Sequence, residues 1–213
     1  MYSILIGSYA RGDYNNNSDC DVVLINSSEA SVDKDLLPIK KKELVNFISY
    51  DSTQFNSLYE SGSLFIYHIL YEGIVIDGRQ DSFNALKKNF HVQKRFNNEL
   101  RKIYTTTQLL AEVDIFGGKH LTPLVNAFTE LKNACIFYLA HHSIYEFNKE
   151  KCFDRALTML GHSTSIKKIK LFYDYSIRNI DLNLPFNPND IKESSALLLE
   201  TNRILRDIYH ACS

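Results

Sequence analysis

Two aspartates near the start of the chain, Asp19 and Asp21, stand one residue apart where the apolar run of residues 22–25 begins. Side chains two apart on a strand share one face, and adjacent carboxylates repel unless a cation lies between them. An earlier apolar run, residues 4–6, ends at Gly7 and Ser8, a turn in which the backbone can approach a phosphate closely. Mg²⁺ prefers carboxylate and phosphate oxygens. The pattern therefore indicates metal-assisted chemistry on the phosphates of a nucleotide.

The first part of the chain contains the strands that must position these residues. Alternating and apolar runs predict strands over residues 2–7, 20–26, 44–50 and 74–77, with a polar loop over residues 9–19. Residues 53–73 have a helical pattern that breaks at Gly62, with Ser52 as the expected N-cap. Strands that alternate with helices in this way favour a small mixed sheet with helices packed on it.

The second part of the chain has helical periodicity and no alternating runs. Apolar residues recur at helical spacing over residues 121–143 and 186–212, and Asn189 or Asp190 is expected to cap the last helix. Several helices with short connections favour an antiparallel bundle. We therefore expect an α+β protein, with a small mixed β-sheet domain at residues 1–80 and an all-α antiparallel helical bundle at residues 83–213.

Composition limits the classes of function. The net charge is -1 and charged residues are 23%, so duplex nucleic acid is not an expected partner. The densest basic run, Lys40-Lys41-Lys42, is typical of a solvated turn. The four cysteines lie far apart without a CxxC pair, which fits a reducing compartment rather than a disulfide framework or a zinc site. No apolar run is long enough to cross a bilayer, so we expect a cytoplasmic protein without a membrane partner.

The segment GSYARGDYNNNSDCD, residues 7–21, resembles the GSx10DxD signature of the minimal nucleotidyltransferases in the DNA polymerase β-like superfamily. The resemblance extends over residues 3 to about 78. It implies that Gly7 and Ser8 hold the β- and γ-phosphates of an NTP substrate, and that Asp19 and Asp21 bind Mg²⁺ or Mn²⁺. It also makes Arg11 a candidate phosphate contact.

The family uses a third carboxylate, on the next strand, as a metal ligand and as the base that activates the acceptor hydroxyl. The matching position here is Asn46, whose amide cannot accept a proton near neutral pH. Glu43 and Asp51 are the nearest acids along the chain, but strand alternation assigns both to the opposite face. Asp51 could replace the missing carboxylate only if a bulge turned it round.

Two hypotheses follow from this resemblance. The first is transfer of NMP, with AMP the expected group, from Mg²⁺-bound NTP to a hydroxyl on a small molecule or a protein. The second is a nucleotide-binding or interaction protein with weak or no turnover, part of a toxin–antitoxin or defence assembly. The substitution at Asn46 favours the second hypothesis, whereas the intact Asp19 and Asp21 pair supports both.

A third hypothesis concerns the last helix. Arg203 and His210 resemble the Rx4-6H pattern of HEPN ribonucleases (higher eukaryotes and prokaryotes nucleotide-binding domains). In a helix they would lie two turns apart on one face, where an imidazole and a guanidinium can serve RNA cleavage. The helical bundle is also the surface expected to join two copies of the chain in a homodimer.

Overall fold

The computed structural model describes residues 1–16, 18–39, 42–110 and 112–213, which form two compact units, Met1–Gln93 and Lys94–Ser213. Lys40 and Lys41 of the basic triplet lie outside the described residues. The division expected between residues 80 and 83 differs from this one, because helix Gln80–Asn89 belongs to the first unit. The α+β class is confirmed, with a small mixed sheet followed by helices.

The first unit is built on one sheet. Its strands are β1 (Tyr2–Ile6), β2 (Cys20–Ile25), β3 (Val45–Tyr50) and β4 (Ile74–Asp77). Its helices are α1 (Gly7–Arg11), α2 (Ser52–Glu60), α3 (Leu64–Glu72) and α4 (Gln80–Asn89), with short 3-10 turns at Glu29–Ser31, Lys34–Leu36 and Lys42–Leu44. The strand order is β3-β2-β1-β4; β1 runs antiparallel to β2 and β4, whereas β2 and β3 are parallel.

Strand alternation separates the core of the first unit into two layers. Ile4, Ile6, Val23 and Ile25 point to one face, where α2, α3 and α4 cover them with the side chains of Phe55, Ile66, Ile69, Leu70 and Phe83. Leu5, Cys20, Val22 and Leu24 point to the other face, where the connection after β2 covers them with Val32, Leu37 and Ile39. Both faces of the central strands are therefore buried, which holds the ends of β1 and β2 in place.

Three local details differ from the sequence-based expectations. Residues 7–11, expected as the end of a strand and a loop, form the short helix α1. Leu44, expected in the third strand, ends a 3-10 turn and packs on the opposite layer from Ile48. Ser52 is the first residue of α2 rather than its cap, because the Asp51 carboxylate accepts the backbone N–H of Gln54.

The second unit is helical. It contains α5 (Asn97–Leu110), α6 (Leu121–His141), α7 (Lys149–Leu160), α8 (Ile169–Ile177) and α9 (Ile191–Ala211), with 3-10 turns at Val113–Phe116 and Thr164–Lys168. Asp190, one of the two residues expected to cap the last helix, is the N-cap of α9. None of the helices within the described ranges is long and apolar enough to span a membrane.

Helices α6 and α9 run in the same direction, which differs from the antiparallel packing expected of neighbours. At their N-terminal ends, His120 Nδ1 lies 3.2 Å from the carbonyl oxygen of Pro188. At their C-terminal ends, burial and the neighbouring Cys212 thiol together raise the pKa of Tyr138. The long connection over residues 178–190 allows the chain to return to the starting end before α9 begins.

Candidate functional site

Asp21 and Asn46 are directly opposed on the neighbouring parallel strands β2 and β3. The Asn46 side-chain nitrogen Nδ2 donates a hydrogen bond to Asp21 Oδ1 at 3.0 Å. Because a carboxylate only accepts, the amide must present its NH₂ group to Asp21. Residue 46, the position that the resemblance indicates for the third carboxylate, thus reaches the Asp21 carboxylate with an amide.

Gly7 packs against the other oxygen of the same carboxylate. The antiparallel register pairs Ile6 with Asp21, so Gly7 begins α1 next to this strand end. A Cβ atom added at Gly7 would lie 3.2 Å from Asp21 Oδ2, and the backbone φ of 72° is one that other L-residues rarely adopt. The backbone conformation therefore favours glycine, and a larger residue would also press on the Asp21 carboxylate.

Asp19 and Ser8 lie at the edge of the group formed by Gly7, Asp21 and Asn46. Asp19 precedes β2 rather than lying within it, and its side chain is exposed. Burial and the neighbouring Cys20, Tyr14 and Asp19 raise the pKa of Tyr9, so Asp19 lies close to α1. Ser8 is half-buried, and its carbonyl oxygen accepts the N–H of Asp13 at 3.0 Å, which closes the loop after α1.

Arg11, the last residue of α1, is held by two carboxylates. Its Nε lies 3.1 Å from Asp13 Oδ2, and its Nη1 lies 3.0 Å from Glu72 Oε2 at the end of α3. The same Glu72 oxygen lies 3.0 Å from His68 Nδ1. Two of the nitrogen atoms that could contact a phosphate are therefore used to attach α1 to α3.

The ionisation of this cluster favours the ion pairs. Burial opposes the charged form of Arg11, but hydrogen bonds to Asp13 and Glu72 outweigh it and raise the pKa of the guanidinium. Burial alone would raise the pKa of Glu72, but hydrogen bonds from His68 and Arg11 outweigh it and lower that pKa. Charged Glu72 therefore attaches the Arg11 end of α1 to α3.

Asp51 and Glu43 are not neighbours of Asp21 in the sheet. Asp51 follows the last residue of β3, five residues beyond Asn46, so it lies about 16 Å farther along the strand direction. Its carboxylate accepts the N–H of Gln54 at 2.8 Å, and the Gln54 side chain accepts the Asp51 N–H in return. Glu43 is exposed in the 3-10 turn before β3.

The donor set at this site suits a metal shared with a nucleotide. Across the described ranges, no group of three or more His, Cys, Asp or Glu side chains could hold a metal ion by itself. Mg²⁺ is commonly bound by one or two carboxylates together with substrate phosphates, so Asp19 and Asp21 are sufficient protein ligands. Gly7 places no side chain between the start of α1 and the Asp21 carboxylate. Asp19 and Asp21 therefore fit a divalent metal ion that is bound together with the phosphates of a nucleotide.

A comparison with known protein families covers the part of the chain that contains this site. The nucleotidyltransferase domain family matches residues 3–115, more than half of the 213 residues. The chain belongs to the nucleotidyltransferase domain family. The match extends past the first unit and includes α5. No curated protein and no solved structure matches the chain.

The second pair of candidate residues lies outside the matched part of the nucleotidyltransferase domain. Arg203 and His210 both lie on α9, seven residues apart, and both side chains are exposed. Asp207, between them, has its Oδ2 3.1 Å from His162 Nε2, and Arg206 Nε lies 3.4 Å from its Oδ1. The structure thus brings a second histidine and a second arginine to the same stretch of α9.

Sequence reasoning missed the cluster that holds the first helix of the nucleotidyltransferase domain. Arg11 and Glu72 are 61 positions apart, and His68 and Glu72 form an ordinary i, i+4 pair on α3. The only local signal was the spacing of His68 and Glu72, which many surface helices share. Nothing in that spacing indicates an arginine from another helix.

Proposed function

We propose that the nucleotidyltransferase domain binds NTP as its Mg²⁺ or Mn²⁺ complex, with ATP the expected donor. Transfer of NMP to a hydroxyl on a small molecule or a protein is slow unless that hydroxyl is already ionised. The hydrogen bond from Asn46 to Asp21 carries this proposal, because it means that an amide occupies the third carboxylate position.

The binding part of the proposal rests on four residues. Gly7 and Ser8 would hold the β- and γ-phosphates, since no side chain at Gly7 intervenes and Asp21 lies immediately behind it. Asp19 and Asp21 would hold the metal together with the phosphates. The metal would supply charge neutralisation at the reacting phosphate and the leaving pyrophosphate. Catalysis by the protein would then consist of positioning for in-line attack.

The weak step is removal of the proton from the acceptor. A general base typically contributes about 10²–10⁴-fold in rate. Asn46 donates to Asp21 and cannot take up a proton near neutral pH. Asp51 is used as a helix cap at the far end of β3 and is a poor replacement. The nucleotide-binding hypothesis with weak turnover is therefore favoured over fast transfer.

Calorimetry with each NTP, with and without Mg²⁺, tests the binding site. We expect Mg²⁺-dependent affinity in the wild type and at least a tenfold weaker affinity in Asp21→Ala. Asp81→Ala is the matched control, because Asp81 is an exposed aspartate in the first turn of α4. If Asp21→Ala binds Mg²⁺-NTP as tightly as Asp81→Ala, the proposed site is refuted.

A ribonuclease function in the bundle is the second candidate, and it is favoured by the common exposure of Arg203 and His210 on α9. On this hypothesis, RNA cleavage survives the double change Asp19→Ala with Asp21→Ala and disappears in His210→Ala. Full nuclease activity in purified His210→Ala would exclude this hypothesis. Loss of RNA cleavage in the double variant Asp19→Ala with Asp21→Ala would assign the cleavage to the first unit.

A further inference from the structure

The rings of Tyr9 and Tyr14 form a stacked pair at the surface of the first unit. Their centroids lie 4.2 Å apart, and the angle between the ring planes is 9°. Tyr9 is half-buried and packs against the layer of the sheet that contains Cys20. Tyr14 stacks on Tyr9 and is itself 48% exposed. One face of the Tyr14 ring is therefore occupied by Tyr9, while nearly half of the residue remains accessible to a ligand.

Hydrogen bonds on both sides of Tyr14 hold the loop between α1 and β2 in place. Before Tyr14, the backbone N–H of Asp13 donates to the carbonyl oxygen of Ser8 at 3.0 Å. After it, the backbone N–H of Asn15 donates to Ser18 Oγ at 2.9 Å, and the Ser18 N–H donates to the Asn15 carbonyl oxygen at 3.0 Å. The Tyr14 ring is thus pre-organised, so less conformational freedom is lost when a ligand stacks on it.

The position of Tyr14 in this loop relates it to the proposed nucleotide site. Asp13, which is bonded to Ser8, directly precedes Tyr14, and Asp19 follows five residues later. The loop therefore joins a residue proposed to hold phosphates to a residue proposed to hold the metal. In an NTP, only the ribose and the α-phosphate separate the base from the β-phosphate. A base joined to phosphates at Ser8 can therefore reach the Tyr14 ring.

A second stacked pair in the same unit, Tyr67 and Tyr71 on α3, provides a comparison. Its ring centroids lie 4.3 Å apart at an angle of 11°, and Tyr71 is 41% exposed. Lys87 Nζ lies over the Tyr71 ring, 4.7 Å from its centroid, and the Tyr71 hydroxyl donates to the Lys87 carbonyl oxygen at 3.2 Å. Among the described residues, no cation lies over the Tyr14 ring. The two pairs have similar geometry, but the Tyr71 ring already has a second neighbour.

We propose that the exposed face of Tyr14 stacks on the base of the bound NTP, an inference that rests on the nucleotide site proposed at Gly7, Ser8, Asp19 and Asp21. Stacking on an aromatic side chain accommodates any base, because every base has a π-face. The larger purine rings offer more area for this contact than the pyrimidines do. Tyr14 is therefore a specificity-determining residue that favours ATP and GTP over CTP and UTP, and it takes no part in the transfer itself.

Calorimetry with Mg²⁺-ATP and with Mg²⁺-tripolyphosphate separates contacts to the base from contacts to the phosphates. Tyr14→Leu should weaken the affinity for ATP at least about fivefold, the lower end of the range for stacking of a base on an aromatic side chain. Its affinity for tripolyphosphate should equal that of the wild type. Tyr14→Phe keeps the ring and should bind both ligands as the wild type does. Tyr71→Leu is the matched control and should leave both affinities unchanged.

Tyr14→Trp reports on stacking directly, because the chain contains no tryptophan. Addition of Mg²⁺-ATP should quench the indole fluorescence of this variant, since the base would lie against the indole ring, whereas Mg²⁺-tripolyphosphate should not. The matched variant Tyr71→Trp should respond to neither ligand. Equal quenching by ATP in the two tryptophan variants would overturn the proposal.

The outcomes distinguish failure of the stacking role from failure of the nucleotide site. If the wild type binds neither Mg²⁺-ATP nor Mg²⁺-tripolyphosphate, both proposals are refuted. If the wild type binds both and Tyr14→Leu binds ATP equally tightly, the stacking role is refuted and the nucleotide site remains. An equal loss of affinity for ATP and tripolyphosphate in Tyr14→Leu would assign Tyr14 to holding the loop, and it would also refute the stacking role.

Discussion

Asn46 donates its side-chain amide to the carboxylate of Asp21 at 3.0 Å, across two adjacent parallel strands. This contact joins the residue that we propose as a metal ligand to the residue at the proposed third carboxylate position. Replacing Asn46 by aspartate would restore a second carboxylate next to Asp21, where neighbouring negative charges repel unless a cation lies between them.

Asn46→Asp should therefore have a lower Tm than the wild type without Mg²⁺ and a larger rise in Tm when Mg²⁺ is added. Release of pyrophosphate from Mg²⁺-ATP, which requires no knowledge of the acceptor, should increase by about 10²-fold or more, the usual contribution of a general base. Asn46→Ala is the control, since it removes the amide without adding a base. Equal rates in the two variants would show that the third position does not limit transfer.

Gly7→Ala tests the close contact at the start of α1. The added methyl group would lie 3.2 Å from Asp21 Oδ2, in a backbone conformation with φ at 72°. We expect a loss of about 1–2 kcal/mol in the free energy of unfolding from the strained backbone, and at least a tenfold loss of Mg²⁺-ATP affinity in calorimetry.

Gly12→Ala provides the matched comparison for that variant. Gly12 has a φ of 77°, but a Cβ atom there would have no neighbour within 4 Å among the described residues. The stability cost should be similar, whereas the nucleotide affinity should be unchanged. If both variants lose affinity equally, backbone strain rather than crowding of Asp21 explains the effect.

We expect Glu72→Gln to be less stable than the wild type at neutral pH and to lose less of its stability as the pH falls. Because hydrogen bonds from His68 and Arg11 lower the pKa of Glu72 in the folded state, the charged group stabilises the fold above its unfolded pKa. That contribution is lost as the pH falls through the lowered folded pKa. The variant should lose about 1.5–3 kcal/mol at neutral pH, the range for a hydrogen bond to a charged group, and its stability should decline less steeply in acid.

Denaturant unfolding at a series of pH values measures this difference. Glu60→Gln is a suitable control, since Glu60 is an exposed residue at the end of α2. An acid profile of Glu72→Gln that is as steep as that of Glu60→Gln would contradict the anchoring role of Glu72.

Asp51→Ala separates the capping role of Asp51 from a catalytic one. Loss of the cap on α2 should cost about 1 kcal/mol in the free energy of unfolding, while the Mg²⁺-ATP affinity and the rate of pyrophosphate release stay the same. Asp51→Ser should recover most of the stability, because serine is also a good N-cap. A large loss of turnover in the serine variant would instead make Asp51 part of the reaction.

The sequence alone determined the features that depend on local pattern. The apolar runs located β1, β2 and β4. The resemblance to the nucleotidyltransferases, together with strand alternation, indicated Asn46 as the position of the third carboxylate. The glycine after β1 and the two aspartates before and within β2 were visible as types and spacing. The helical repeat of the second part was equally visible.

Only the tertiary structure decided which polar groups face one another. Arg11 is bound by Glu72, 61 positions away, Asp51 caps a helix, and Asp207 on α9 lies 3.1 Å from His162, which follows α7. The physical reason is that periodicity states which face a residue occupies, whereas a charge is stabilised by partners that packing brings from distant parts of the chain. The hydrogen bond between Asn46 and Asp21 required both, a strand pattern to predict the face and a parallel register to make the contact.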